Sequence, residues 1–391
     1  MRFITPIFGF TPFFMLAFMA FMATGNTVNA ETFRVCFTFR TQNGSGDGIY
    51  ISELDTETGT LSEPKFAVSA KNPYYFPDLP EESVLYAVCD HETALIGFKN
   101  TPSGLERLEP HVQFQSGEWL CQISKLDREL LVNCYGNRNI ARVALAENGA
   151  PQEIVQRIFF EGSSVNPSRQ KGSFPHSVNP APNGRVYVCD LGADKIWILR
   201  WEETVTKSGT ESESGNVVKR KLIRNIPYSV TARPGCGPRH MVFHPTLPLA
   251  YVNNELFNDV TVYRILPDGM LDEIQIIETI PRENRGKNFI AVSEMRLTPD
   301  GKFLYVANRG HNSITAFRVE EDGRLTFLET EPTTGSTPRG LVMDPTGKFL
   351  VSPNRNGVIQ LLKIESDGTL TPTASRYTLP GDIPSVAIMK K

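Results

Sequence analysis

The 391-residue chain has no excess of either charge: 40 Lys and Arg stand against 43 Asp and Glu, a net charge of −3. That balance excludes a protein that holds nucleic acid through a basic surface. Long helices are equally excluded, because 30 glycines and 28 prolines interrupt the chain throughout, and with them coiled coils and polytopic membrane proteins. There is no G-x-S-x-G elbow, Walker loop, HExxH or CxxC spacing, so neither a metal nor a cofactor is expected. What remains is ordinary globular material, 40% hydrophobic and 21% charged. Its Gly and Pro suit many short strands joined by turns.

Charge is also missing from the N-terminus, where no ionisable side chain lies between Arg2 and Glu31. Within that gap, Phe13 to Ala23 contains only Phe, Met, Leu and Ala, and Val28-Asn29-Ala30 offers small residues at −3 and −1 of a cleavage site. This is the order of a secretory signal peptide over residues 1–30. A retained anchor is the alternative, since the uncharged stretch is long enough to span a bilayer; the polar Thr24 to Asn29 favours cleavage. The expected mature chain, 31–391, is secreted or periplasmic, with no membrane association after signal removal. Its six cysteines, Cys36, Cys89, Cys121, Cys134, Cys189 and Cys236, include several inside strand-like runs, where small buried thiols are expected. No disulfide pairing is assigned.

The chain repeats. Arg239-His-Met-Val-Phe-His-Pro245 is followed by Ala250-Tyr-Val-Asn-Asn-Glu255 and Val260-Thr-Val-Tyr-Arg264. Ser293 to Pro299, Leu304 to Arg309 and Ile314 to Arg318 form a second copy; Arg339 to Pro345, Phe349 to Asn354 and Val358 to Leu362 form a third. Earlier copies begin near His176, Cys121 and Tyr74, and Gly48 to Leu61 supplies the outer part of another. Seven units of about 40–50 residues, each of three or four alternating strands, read as an all-β, seven-bladed β-propeller. Pro384 to Ile388 is one more strand, expected to pair with the N-terminal strands and close the ring. Glu202 to Lys219, rich in Ser, Thr, Glu and Gly, reads as a surface loop.

The repeat register makes His176, Arg239, Ser293 and Arg339 equivalent, at the start of each blade's innermost strand, where a propeller lines its channel. Ser177, His240, Glu294 and Gly340 follow them. Leu191, Glu255, Arg309 and Arg355 share a second position at the end of the next strand. Flanking apolar residues repeat while these positions diverge, as expected of side chains facing one asymmetric pocket; side chains merely solvated at the blade mouth would also diverge.

Pro175-His-Ser-Val178, Gly237-Pro-Arg-His240, Val252-Asn-Asn-Glu-Leu256 and Asn308-Arg-Gly-His-Asn-Ser313 resemble motifs of the seven-bladed lactonase family. That family includes propeller-type 6-phosphogluconolactonases and 3-carboxymuconate lactonizing enzymes. The similarity covers nearly the whole mature chain. It implies lactone hydrolysis, or the reverse lactonization, of an anionic sugar-acid or muconate-like substrate. His176 and Glu255 would be the proton-transfer pair, and Arg239 and Arg309 the groups that bind substrate and stabilise an oxyanion. His240 and His311 would add substrate contacts. Departures fall at Cys121-Gln122, Cys89-Asp90 and Pro353-Asn-Arg-Asn-Gly357, where pocket shape can differ. The residue types suit the chemistry, because lactone hydrolysis needs a base for water, an acid for the alkoxide and cationic donors for the oxyanion. The expected partner is a small anionic lactone or carboxylate, with no nucleic acid; oligomeric state is unassigned. The alternative is a non-catalytic secreted propeller that binds a ligand or protein.

Overall fold

The computed structural model describes residues 32–391, apart from 43, 90, 92, 209–214 and 285–289. The signal-peptide reading therefore lies outside the described residues. Alternating patterns separated by Asp-Gly and Asn-Gly turns become antiparallel hairpins, and these assemble into seven sheets around one axis, a seven-bladed β-propeller. Blade 5 is representative. Pro238–Phe243 pairs with Leu249–Asn254, which pairs with Asp259–Ile265, which pairs with Leu271–Glu278 at the rim. Blades 3, 4 and 6 repeat this order, beginning at Leu120–Leu126, Pro175–Pro180 and Ala291–Leu297. Blade 7 begins with the short Val342–Met343 strand. Blade 2 reduces its innermost strand to a bridge between Tyr75 and Val88.

Blade 1 is built from both ends of the described chain. Val386–Lys390 pairs with Thr32–Phe39, with Ile388 opposite Val35. The C-terminal strand thus closes the ring as its alternating pattern implied. Closure satisfies the backbone groups that an open edge would expose.

Apolar residues gather in seven clusters, each between neighbouring blades. The one across the closure joins Phe33, Phe37 and Ile388 of blade 1 to Val351 and Ile359 of blade 7. A tyrosine in the second strand reinforces several of these seams. Tyr86, Tyr187, Tyr251 and Tyr305 donate through their hydroxyls to the carbonyls of Gly149, Gly269, Gly323 and Gly368 in the next blade, at 2.8–3.1 Å. This explains the Tyr-Val pairs that recur in the repeats. The six cysteines are all buried thiols.

One expectation is corrected. Most of Glu202 to Lys219 is strand rather than loop: blade 4's outer strands, Lys195–Ser208 and Gly215–Thr231, pair with each other along their length and extend beyond the blade. Glu202 to Val205 is exposed on both faces, so no burial imposes alternation and the segment carries no strand period.

Ring closure makes the last strand a structural requirement. Ile388→Ala removes a fully buried side chain from the closing cluster and is expected to cost about 2–5 kcal/mol in urea unfolding. An effect below about 1 kcal/mol would show that the seam repacks without it.

Candidate active site

In blades 3 to 6 the innermost strand carries a β-bulge at the same place. Pairing skips between Leu120 and Gln122, Pro175 and Ser177, Pro238 and His240, and Val292 and Met295. The inserted residues are Cys121, His176, Arg239 and, in blade 6, Ser293 with Glu294. Blade 7 breaks likewise between Pro338 and Val342, around Arg339. In blade 2 the Tyr74 and Tyr75 segment lies on Val88, with Tyr74 N bonded to Val88 O at 2.8 Å. A bulge frees a side chain from the ladder and re-aims it. Here it re-aims one side chain in each of blades 3, 4 and 5 and two in blade 6. Because pairing is antiparallel, these positions lie beside the ends of the second strands, which bring Tyr135, Leu191, Glu255 and Arg309 to the same end of the channel.

The local sequence fixes the bulge of blade 5. Gly237, at φ +67°, has no room for a Cβ, which would lie 2.8 Å from Leu256 Cγ. Its N–H and that of Gly235 donate to the buried Asp194 carboxylate at 2.7 and 2.6 Å. The His240 N–H donates instead to Asn253 Oδ1 at 2.8 Å, and Asn253 Nδ2 reaches Ser293 O at 3.0 Å in blade 6.

Three of the six sequence-derived residues converge on a fourth, the Glu255 carboxylate. Glu255, 4% exposed, accepts from Arg239 Nε at 3.0 Å on Oε2 and pairs through the same oxygen with Arg309 Nη2 at 3.2 Å. His176 Nε2 stands 3.8 Å from that oxygen. Arg239 is itself 2% exposed, its Nη1 donating to Ser293 O. Oε1 is taken by a residue the sequence reading missed: Arg169 Nη2, at 2.7 Å. Arg169 belongs to the Gly- and Ser-rich segment leading into Pro175–Pro180. Only its position seven residues before His176 hinted at a role.

His240 joins the site through a different carboxylate. Its ring centroid lies 5.3 Å from that of His176, and Nδ1 is 3.3 Å from Glu294 Oε2. Glu294 in turn pairs with Arg296 Nη1 at 3.0 Å. Tyr135 packs edge-on against His176, centroids 5.6 Å apart. His311 sits in the turn after Phe303–Arg309, its Nδ1 2.8 Å from Ser313 Oγ. Two ring nitrogens in the cluster, His176 Nδ1 and His240 Nε2, are buried without a hydrogen-bond partner among the described residues, as is Arg309 Nε. Buried polar atoms are rarely left so unless a water or ligand completes them.

The electrostatics follow from crowding. Burial favours a neutral Glu255, but the charges of Arg309, Arg239, His176 and Arg169 outweigh it and hold its pKa well below the carboxylate range. Burial, Arg239 and His240 depress His176 well below the usual imidazole value. His240 falls to about 4, chiefly by burial, with Glu294 opposing. Burial lowers Arg309 to about 10, and Glu255 offsets this only in part because Arg239 and Arg339 add like charge. At neutral pH the cluster is therefore an ionised carboxylate and guanidinium groups around two neutral imidazoles. Among the described residues no group of three or more His, Cys, Asp or Glu is arranged to hold a metal ion. A cavity of about 400 Å³ lies at the rim, along Ile276 to Arg282, away from this chemistry.

A family model described as "Lactonase, 7-bladed beta-propeller" matches residues 34–384. A 6-phosphogluconolactonase of Bacillus subtilis is 32% identical over 345 residues, covering 86% of this chain and 93% of that protein. A putative 6-phosphogluconolactonase from Bacteroides fragilis superposes with a TM-score of 0.78 at 25% identity, over 93% of this chain and 99% of that one. A periplasmic gluconolactonase of Pseudomonas aeruginosa gives the same TM-score and identity over 91% and 99%.

The depressed pKa values make stability depend on acidity. His176 and His240 are buried neutral, so their contribution is complete above the ordinary 6.5 and is lost as pH falls toward the folded-state values. Glu255 adds a loss below its ordinary 4.5. The thermal midpoint, followed by scanning fluorimetry, should be level above neutrality and fall progressively below pH 6.5. At pH 7, Glu255→Gln strips from three guanidinium groups the one carboxylate they pair with among the described residues. It should cost about 3–5 kcal/mol; an unchanged midpoint in both experiments would contradict the charge assignment.

Proposed function

Because the chain belongs to the lactonase family of seven-bladed β-propellers, we propose that it hydrolyses a sugar-acid lactone at the Glu255 cluster. The observation that carries the reading is the convergence of His176, Arg239, Glu255 and Arg309 at one end of the channel. The named relatives are lactonases of sugar acids, which favours hydrolysis over the muconate direction and over a purely binding role.

In this reading a proton on His176 Nε2, the nitrogen facing Glu255, leaves Nδ1 as the acceptor. Nδ1 takes a proton from water as the oxygen of that water adds to the lactone carbonyl. The imidazolium is stabilised by the Glu255 carboxylate, much as an Asp supports a catalytic His in hydrolases. Arg309, with Nε unpartnered, stabilises the oxyanion. Collapse breaks the ring C–O bond, and the departing alkoxide recovers the proton from His176. Glu255 stays ionised throughout, so it positions and stabilises rather than exchanging protons. Arg239 holds Glu255 in place, and His240 Nε2 accepts a hydrogen bond from a substrate hydroxyl. His311 stands behind Arg309 in the turn, as an outer substrate contact. No cofactor enters the reaction.

The reading extends to the N-terminus: residues 1–30 are a cleaved export signal, and the enzyme acts outside the cytoplasm, as its periplasmic structural neighbour does by name. N-terminal sequencing of the exported chain should begin at Glu31; a chain retaining residues 1–30 in the membrane would replace export by anchoring.

The activity is tested with glucono-1,5-lactone and its 6-phosphate in a pH-stat. His176→Gln should lower kcat by about 10²–10⁴-fold, and Arg309→Gln by about 10²–10³-fold. Since the base must be neutral and its pKa is depressed, kcat/KM should hold from neutrality into acid and fall only below pH 6.5. Full turnover by His176→Gln would remove His176 from the mechanism. A wild-type chain inactive on both lactones would end the hydrolase reading.

A further inference from the structure

The register that produced the site has one more arginine. Arg339 occupies in blade 7 the position that His176 and Arg239 occupy in blades 4 and 5. A hydrogen-bonded line leads to it along the channel wall: Arg239 donates to Ser293 O, and Ser293 Oγ donates to Pro338 O at 2.6 Å. Its side chain does not turn back to Glu255. The guanidinium carbon lies 4.4 Å from the centroid of the Tyr74 ring, and Nη2 donates to Tyr74 Oη. Tyr74 belongs to blade 2, and blade 1 stands between blades 2 and 7 in the ring. The contact therefore skips one blade rather than following a seam between neighbours.

Arg339 is half-buried and, among the described residues, has no carboxylate partner. One N–H meets a phenol oxygen, and most of its donor capacity is unused. The local charge is unbalanced as well: Arg169, Arg239 and Arg309 share Glu255, and Arg339 is a fourth guanidinium with no carboxylate opposite it among the described residues. Arg40 meets the same ring, 5.0 Å from its centroid. A planar guanidinium seated on an aromatic face, with its fork open, is the geometry that takes phosphate or carboxylate through two parallel hydrogen bonds.

We infer that Arg339, seated on Tyr74, is the subsite for an anionic substituent of the lactone, remote from the reacting carbonyl, so that the preferred substrates are phosphorylated or carboxylated lactones. The inference rests on the lactonase reading for its substrate and adds a selectivity that reading does not require. Arg339 is a specificity residue that touches the substrate's anionic end, while His176 and Arg309 meet its carbonyl.

The test compares kcat/KM for glucono-1,5-lactone, its 6-phosphate and a lactone bearing a carboxylate at the same end. Wild type should prefer the anionic substrates by about tenfold or more, a value typical of one charge-assisted bidentate contact. In Arg339→Gln that ratio should fall toward unity, mainly through KM of the anionic substrates; Arg339→Lys should keep part of it. Tyr74→Phe, which removes the hydroxyl but keeps the ring, should retain the preference. The phosphate and carboxylate arms show which anion the fork fits. Titration calorimetry with 6-phosphogluconate and gluconate reads the same subsite without turnover, so it separates failure of the subsite from failure of the hydrolase reading. A wild type that does not discriminate would overturn the inference, as would an Arg339→Gln ratio equal to wild type or an equal loss on all substrates.

Discussion

One buried carboxylate governs the site. Glu255 is the point where blade 5 meets Arg309 of blade 6, His176 of blade 4 and Arg169 from the segment before blade 4. A lone carboxylate at that depth would be neutralised by its desolvation cost; the surrounding guanidinium groups of Arg309, Arg239 and Arg169 keep it ionised. The dependence is mutual, because the same arginines would repel one another without it. Breaking such a buried ion pair costs about 3–5 kcal/mol, since the surviving charges stay buried.

That arrangement is possible because the propeller holds its innermost strands together at the axis. Blades 3 to 7 each deliver side chains to the same ring of positions, where a bulge or break in the ladder re-aims them. The strands between carry the apolar clusters that fix the angle between blades. Side chains far apart in sequence, such as His176 and Arg309, are thereby placed on one carboxylate with little freedom to move. Catalytic geometry depends on such rigid support. Closure by Val386–Lys390 completes the constraint, because an open ring would let blades 1 and 7 part.

The charge distribution reconciles two facts that look opposed. The chain as a whole is slightly acidic, −3, yet its channel gathers arginines around a single carboxylate. Local fields follow the nearest charges rather than the sum. Burial then withdraws the two histidines from titration near neutrality, leaving imidazoles ready to accept protons beside guanidinium groups ready to hold negative charge. That division of labour suits ester hydrolysis of an anionic substrate.

The repeats, the turn chemistry and the closing strand were legible in the sequence because each depends on local pattern: alternation, Gly and Pro at turns, and a register copied from blade to blade. The quartet His176, Arg239, Glu255 and Arg309 was legible for the same reason, with motif resemblance supplying roles the register could not. Arg169 was not, because it lies in an irregular segment outside the repeat. Arg339 was placed by register, but only its turn toward Tyr74 of blade 2 shows that it lacks a carboxylate among the described residues. The extension of blade 4's outer strands was misread as a loop, since a strand solvated on both faces leaves no hydrophobic period. The sequence alone thus determined the architecture and the ring of candidate positions, both set by short-range periodicity. Which of those side chains meet, and which remain unpaired, was decided only by the tertiary structure, because charge pairing depends on distances between blades that no linear pattern encodes.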